Sequence, residues 1–389
     1  MRIGMLSWEY PPRIVGGIAR HVEELSEALA SQGHDVHVFT AFHPGSPDDE
    51  VRKGVHIHRM PEITALVPDF VTWVHHLNFE MARVAIPIHL AQPFDLFHAH
   101  DWLVLQAGYL LKHALGARLV ATIHATEAGR MHGIHNDLQR YISQQEWALT
   151  YEAYQVIVCS QYMHHEALEQ FGLPADKLHI IPNGIDASKF DFEFDPVAFR
   201  RAYAADHERI VLFVGRMVPE KGAQVLIEAV PRVVSQVGDV RFVVVGKGGF
   251  LEELKARARA LGVQRVMTFT GYVDDDTLLR LYRVADVDVV PSLYEPFGIV
   301  ALEGMAARLP TIVASTGGLA EIVDHTRTGL TTYPGNPDSL AWAMREVLAN
   351  PGYAVDLGNR AYEKVQAVFN WATIARQTVA VYEQTLSGA

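Results

Sequence analysis

Pro291-Ser-Leu-Tyr-Glu-Pro-Phe-Gly298 runs on through Ile299-Val-Ala-Leu-Glu303-Gly-Met-Ala-Ala-Arg308 and Leu-Pro-Thr-Ile-Val-Ala-Ser to Thr316-Gly317-Gly318. Two carboxylates, Glu295 and Glu303, stand eight positions apart in it. A helix over 298–308 puts Glu295 in the loop before it and Glu303 two turns in, so both can address one ligand near an N-terminus with free N–H groups. Such a site suits an anion that also carries hydroxyls. Arg216 and Lys221, in Val214-Gly-Arg-Met-Val-Pro-Glu-Lys-Gly222 after the apolar run 210–214, supply the positive charge that an anion requires.

Outside this stretch the chain alternates short apolar runs with helical patterns, which implies parallel sheets covered on both faces. Residues 1–7 read as a strand, 8–17 as a loop ending in Gly16-Gly17, 18–32 as a helix closed by Gly33, and 36–39 as the next strand. A strand, glycine turn, helix and strand place N–H groups at the carboxyl end of a sheet. Gly16-Gly17 lacks the full G-x-G-x-x-G pattern, and Lys247-Gly-Gly249 lacks the P-loop pattern. Strands over 95–100 and 119–123 end at Asp101 and His124, so these ends should meet. In the second half, 210–214, 241–245 and 266–270 read as strands, with helices at 224–237, 250–261, 338–348, 353–368 and 371–386.

With 389 residues, 49% hydrophobic and 20% charged, the chain is a folded protein of two ordinary domains. A net charge of −12 argues against nucleic acid as a general partner. One cysteine, Cys159, excludes an intrachain disulfide and reads as a buried residue beside 156–158. The N-terminus shows no signal-peptide pattern and no run reaches about 18 apolar residues, so no transmembrane segment and a cytoplasmic location are expected. The apolar stretch 66–90 reads as an amphipathic helix around 70–86 interrupted by Pro68 and Pro87, a packing element in preference to a surface touching membrane or acceptor. Asp274-Asp-Asp276 opens a helix and reads as capping in preference to metal binding. His98-x-His100-Asp101 lacks a third separated ligand motif, and no metal site is expected there.

Taken as an ordered set, Glu295-x7-Glu303, Gly215-Arg216 with Lys221-Gly222, and Gly16-Gly17 resemble the retaining nucleotide-sugar glycosyltransferases that include glycogen and starch synthases and sucrose synthase. The resemblance covers nearly the whole chain and looks closest to short bacterial and archaeal glycogen synthases. It departs just before the glycine pair, where those synthases usually carry lysine and this chain has Ile14-Val15. The resemblance implies a GT-B architecture, two Rossmann-like doubly wound α/β domains facing across a cleft. These are expected as 1–188 on the acceptor side, a linker at 189–208, a nucleotide-sugar domain at 209–368, and a helix over 369–389 returning to the first domain.

The resemblance further implies a hexosyltransferase that moves glucose from ADP- or UDP-glucose to an α-1,4-glucan, with no cofactor and no metal. By residue match, Asp101 and His124 lie beside the transferred sugar, and both join Arg216, Lys221 and Glu295 as catalytic candidates. The donor-binding set is Gly16, Gly17, Arg216, Lys221, Glu295, Gly298, Ile299, Glu303, Thr316, Gly317 and Gly318. Arg216 and Lys221 would pair with the diphosphate, aided by N–H groups around Gly17, Thr316 and Gly318 and by a helix opening at 320. Glu303 would hold the ribose hydroxyls. Other readings stay open: a lipid-linked or small-molecule acceptor, a sugar-nucleotide epimerase, a pyridoxal-phosphate phosphorylase, or a non-catalytic nucleotide binder.

Overall fold

The computed structural model describes residues 1–64 and 67–388, so Leu66, at the start of the long apolar stretch 66–90, lies outside the described residues. The chain divides into two compact units: Met1–Gly184 with the segment from Trp371 onward, and Ile185–Asn370. Residues 189–208 belong to the second unit and are not a free linker. They form a turn at Ala187–Phe190 and a helix at Pro196–Arg200, and Arg200 ties them down through Asp286 Oδ2 at 2.7 Å.

The first unit is built on eight strands: β1 (Arg2–Leu6), β2 (Asp35–Thr40), β3 (Asp49–Arg52), β4 (Val55–Arg59), β5 (Leu96–His100), β6 (Arg118–Ile123), β7 (Gln155–Val158) and β8 (Leu178–Ile180). Their order across the sheet is β3-β4-β2-β1-β5-β6-β7-β8, parallel except for β3 against β4. The β3/β4 hairpin turns through Lys53 and Gly54, both at positive φ (48° and 82°), the pattern of a two-residue type I′ turn. The helix Gly17–Ser31 lays Val22, Leu25 and Leu29 on the sheet, where they share a core with Ile3, Met5, Val36 and Val38. The C-terminal helix Trp371–Leu386 completes that core with Trp371, Ile374, Ala375 and Tyr382.

The stretch read as an amphipathic helix is Phe70–Ala91, which continues past Pro87. It buries Val74, Leu77, Met81 and Ala85, so one face packs as a helix of a layered domain does. Asn78 is buried on that face with its amide satisfied by the Val74 and Leu103 carbonyls and the Ala107 N–H.

The second unit has six parallel strands: β9 (Arg209–Val214), β10 (Val240–Val245), β11 (Met267–Gly271), β12 (Val287–Val290), β13 (Thr311–Ala314) and β14 (Leu330–Thr332). Their order is β11-β10-β9-β12-β13-β14. Counted within the unit this is 3-2-1-4-5-6, the doubly wound arrangement whose ligand crevice opens where the order reverses, here at the carboxyl ends of β9 and β12. Phe213, Leu226, Val230, Phe242, Val244, Ile312 and Met344 fill its core. In the first unit the same reversal falls between β1 and β5.

Candidate active site

In the second unit, β9 delivers Gly215, Arg216 and Lys221, and β12 delivers Pro291 to Glu295. The two loops meet because Gly222 has φ 73° and no side chain: a Cβ there would lie 1.9 Å from the Pro291 carbonyl oxygen. That contact sets Lys221 Nζ 2.7 Å from Glu295 Oε2, and Ser292 Oγ donates to the same oxygen at 3.1 Å. Glu295 is 8% exposed and Lys221 is half-buried, so the pair is partly desolvated and its attraction exceeds that of a surface ion pair. Arg216 lies at the more open side, half exposed, with its guanidinium 3.5 Å from Glu220.

Gly298, at φ 117°, starts the helix Ile299–Ala306, whose first turn carries no side-chain cap. With no side chain capping them, the first N–H groups of this helix give its N-terminus a partial positive charge that favours anions. Glu303 sits in this helix and accepts from the Tyr282 hydroxyl at 2.9 Å. The Thr316-Gly318 turn departs from the expectation of free N–H groups. Thr316 N donates to Ala314 O at 2.8 Å within the turn, and Gly318 N donates to Glu295 O at 3.0 Å and so fixes the Glu295 backbone. The helix that follows is the single turn Leu319–Ile322, too short to build a substantial dipole.

In the first unit, Asp101 follows β5 and His124 follows β6, neighbouring parallel strands, and the ends do meet. Asp101 Oδ1 accepts the His124 backbone N–H at 2.7 Å. Asp101 holds φ 60°, ψ 170°, a conformation that costs a non-glycine residue energy and that clusters at functional sites. Burial pushes its carboxyl up to about 7, only partly offset by the His124 N–H. The His124 ring packs among His21 and His100, at centroid separations of 4.7 and 5.5 Å. Burial holds His124 and His100 well below the usual imidazole range and His21 down to about 4, so all three rings are neutral near pH 7.

Gly16 and Gly17 open the helix Gly17–Ser31 after β1, as the strand-turn-helix reading requires. The Val15 and Gly16 N–H groups donate to Glu9 Oε2, at 2.5 and 2.9 Å. Glu9 is 1% exposed and was not singled out in the sequence. It sits in the loop 8–17 with Pro11 and Pro12, and a carboxylate seven residues before a glycine pair is the only signal it gives. Ser292, Tyr282, His21 and Asn183 were also missed, because each takes its place through a fold contact and not through a motif.

Comparison with known proteins follows the same division of the chain. Residues 15–189 match the family described as Glycosyltransferase Family 4, and residues 197–364 match Glycosyl transferases group 1. A glycosyltransferase of Methanocaldococcus jannaschii is 40% identical over 98% of both chains. The glycogen synthase of Mycobacterium tuberculosis is 37% identical, covering 98% of this chain and 94% of that one. Among solved structures, the sucrose-phosphate synthase of Thermosynechococcus elongatus superposes with a TM-score of 0.84 at 28% identity, over 100% of both chains.

Proposed function

The chain belongs to the GT-B glycosyltransferases of the glycogen synthase-like group, and from that we propose that it transfers glucose from ADP- or UDP-glucose to an α-1,4-glucan, with retention of configuration and without metal. The observation that carries this reading is the Lys221–Glu295 pair held at the β9/β12 reversal, with Arg216 beside it and an uncapped helix N-terminus at Gly298. It is an anion cradle with a carboxylate built in. The 37% identity to a glycogen synthase favours a glucan as acceptor.

As the bond from the anomeric carbon to the diphosphate breaks, negative charge grows on the leaving oxygen and positive charge on the sugar ring. Arg216, Lys221 and the N–H groups of Ile299 and its neighbours stabilise the first, a contribution made in the transition state more than in the ground state. Glu295 both positions Lys221 and shields the developing positive charge. The acceptor hydroxyl attacks from the face the diphosphate leaves and passes its proton to the departing diphosphate oxygen, so no protein nucleophile is used. Asp101 and His124 orient the sugar; a neutral imidazole can donate to or accept from a hydroxyl. Glu303 holds the ribose, with Tyr282 fixing its carboxylate.

A second reading is transfer to a small sugar or sugar phosphate, which the likeness to a sucrose-phosphate synthase favours. Both readings share the donor cradle. Lys221→Ala is expected to lower kcat by about 10²–10³-fold while the melting temperature stays near that of the wild type, since one donor to a developing anion contributes that much. EDTA should not lower the wild-type rate. Wild-type rates in the variant, or a rate abolished by EDTA, would contradict the mechanism.

A further inference from the structure

The carboxyl end of the first unit's sheet gathers three imidazoles from distant parts of the chain. One nitrogen each of His21, His100 and His124 lies within 4.8 Å of the other two. His100 Nδ1 and His124 Nε2 face each other at 3.2 Å. Four nitrogens in a tetrahedron around zinc at about 2.1 Å stand roughly 3.4 Å apart, so this edge already has the required length. The His21 ring turns its flank to both, with centroids at 5.3 and 4.7 Å.

The tautomer of His21 is set by its surroundings. Its Nδ1 is 2.7 Å from Asn183 Oδ1, an oxygen that only accepts, so Nδ1 carries the hydrogen and Nε2 keeps its lone pair. Among the described residues His21 Nε2 has no hydrogen-bond partner, although His21 is only 5% exposed. Buried ring nitrogens without partners are costly unless something fills the space they face. The His124 side chain is only half-buried, which leaves a way in. A histidine whose other nitrogen donates to a fixed oxygen is the usual support of a metal ligand.

A second group, Asp35, His37 and His56, is equally close-set. There the Arg2 guanidinium lies 2.9 Å from Asp35 and 3.3 Å from His37 Nε2, so a cation's place is already taken.

We propose that His21, His100 and His124 bind a divalent transition metal of the zinc class, with Asn183 holding His21 in register and water in the fourth position. The ion is no participant in glucosyl transfer. By tying up His124 it would inhibit, a consequence that rests on the proposed function, whereas the binding itself does not.

The test is titration of the tag-free, chelator-treated full chain with Co²⁺, in the absence of donor and acceptor. One equivalent should bind and give the visible bands of a four-coordinate ion. Those bands should vanish in His21→Ala, persist in His56→Ala, and require about 10–100-fold more Co²⁺ in Asn183→Ala. Absence of binding, bands that survive His21→Ala, or bands lost with His56→Ala would overturn the site. X-ray absorption of the Zn²⁺-loaded wild type decides the matter should His21→Ala fail to fold: three imidazole nitrogens are expected, and a shell with one imidazole or none would overturn it.

Discussion

Glu146 shows how much one buried carboxyl can tell. Its Oε1 accepts the Glu127 N–H at 2.8 Å, and the side chain is 3% exposed. Burial first, and then the charge of Asp101, push its pKa from 4.5 up to about 9. The folded state therefore holds a proton that the unfolded chain releases above its ordinary value. Stability contributed by this group is complete below about pH 4.5 and falls by roughly 1.4 kcal/mol per pH unit up to about pH 9. Glu146→Gln keeps the acceptor and removes the titration, so its advantage in melting temperature over the wild type should widen as pH rises from about 5 to about 8. An advantage that does not change over that range would contradict the buried, protonated carboxyl. Glu146 gave no sign of this in the sequence, since burial follows from the packing of its helix and not from its neighbours in the chain. Asp101 and His124 were legible because each directly follows a strand and each matches a residue of a known family. Lys221 and Glu295 were legible as candidates, but their ion pair was not, because it spans 74 positions and depends on how closely Gly222 lets two loops approach.

Among the elements, those with strong periodicity and clear ends were readable. The Asp274-Asp276 run is a case: Asp274 Oδ1 accepts the Thr277 N–H at 2.7 Å, and Arg280 donates to Asp276 at 3.1 Å, so the acids open the helix Asp275–Val284 as capping predicts. Asp274→Ala should destabilise the second unit and lower its urea midpoint, because the Thr277 N–H loses its cap. An unchanged midpoint would show that the cap carries no weight. The elements that escaped are those whose signal is weak or contrary. Strand β3 is short and mostly charged, and its turn uses Lys53-Gly54 where Asn-Gly or Asp-Gly would have announced a hairpin. Pro87 suggested a break, yet the helix runs through it, giving up one N–H donor near its end where burial of Met81 and Ala85 already holds the helix in place. The turn Thr316-Gly318 was found but its role was not: the Gly318 N–H turns inward to the Glu295 carbonyl, something only the path of the backbone reveals.

For the whole molecule, alternating strands and helices announced parallel sheets covered on both faces, the family resemblance implied that they are doubly wound, and the observed strand orders have that form. The family relationship extends over 98% of the chain, so the class of reaction is that of its relatives. Among the described residues no helix is long and apolar enough to cross a membrane. What a sequence of this kind carries best is the proposed donor cradle, because phosphate recognition reuses a few residue types at fixed places after strands. Acceptor recognition is spread over exposed side chains with no fixed spacing, and the choice between glucan and small sugar was left open for that reason. The most direct measurement is release of nucleoside diphosphate from ADP-glucose and from UDP-glucose, with and without glycogen, in EDTA. Release from one of the two donors that depends on glycogen and persists in EDTA is the predicted result. No release from either donor with glycogen present, or release that needs a divalent cation, would contradict a metal-independent glucan synthase.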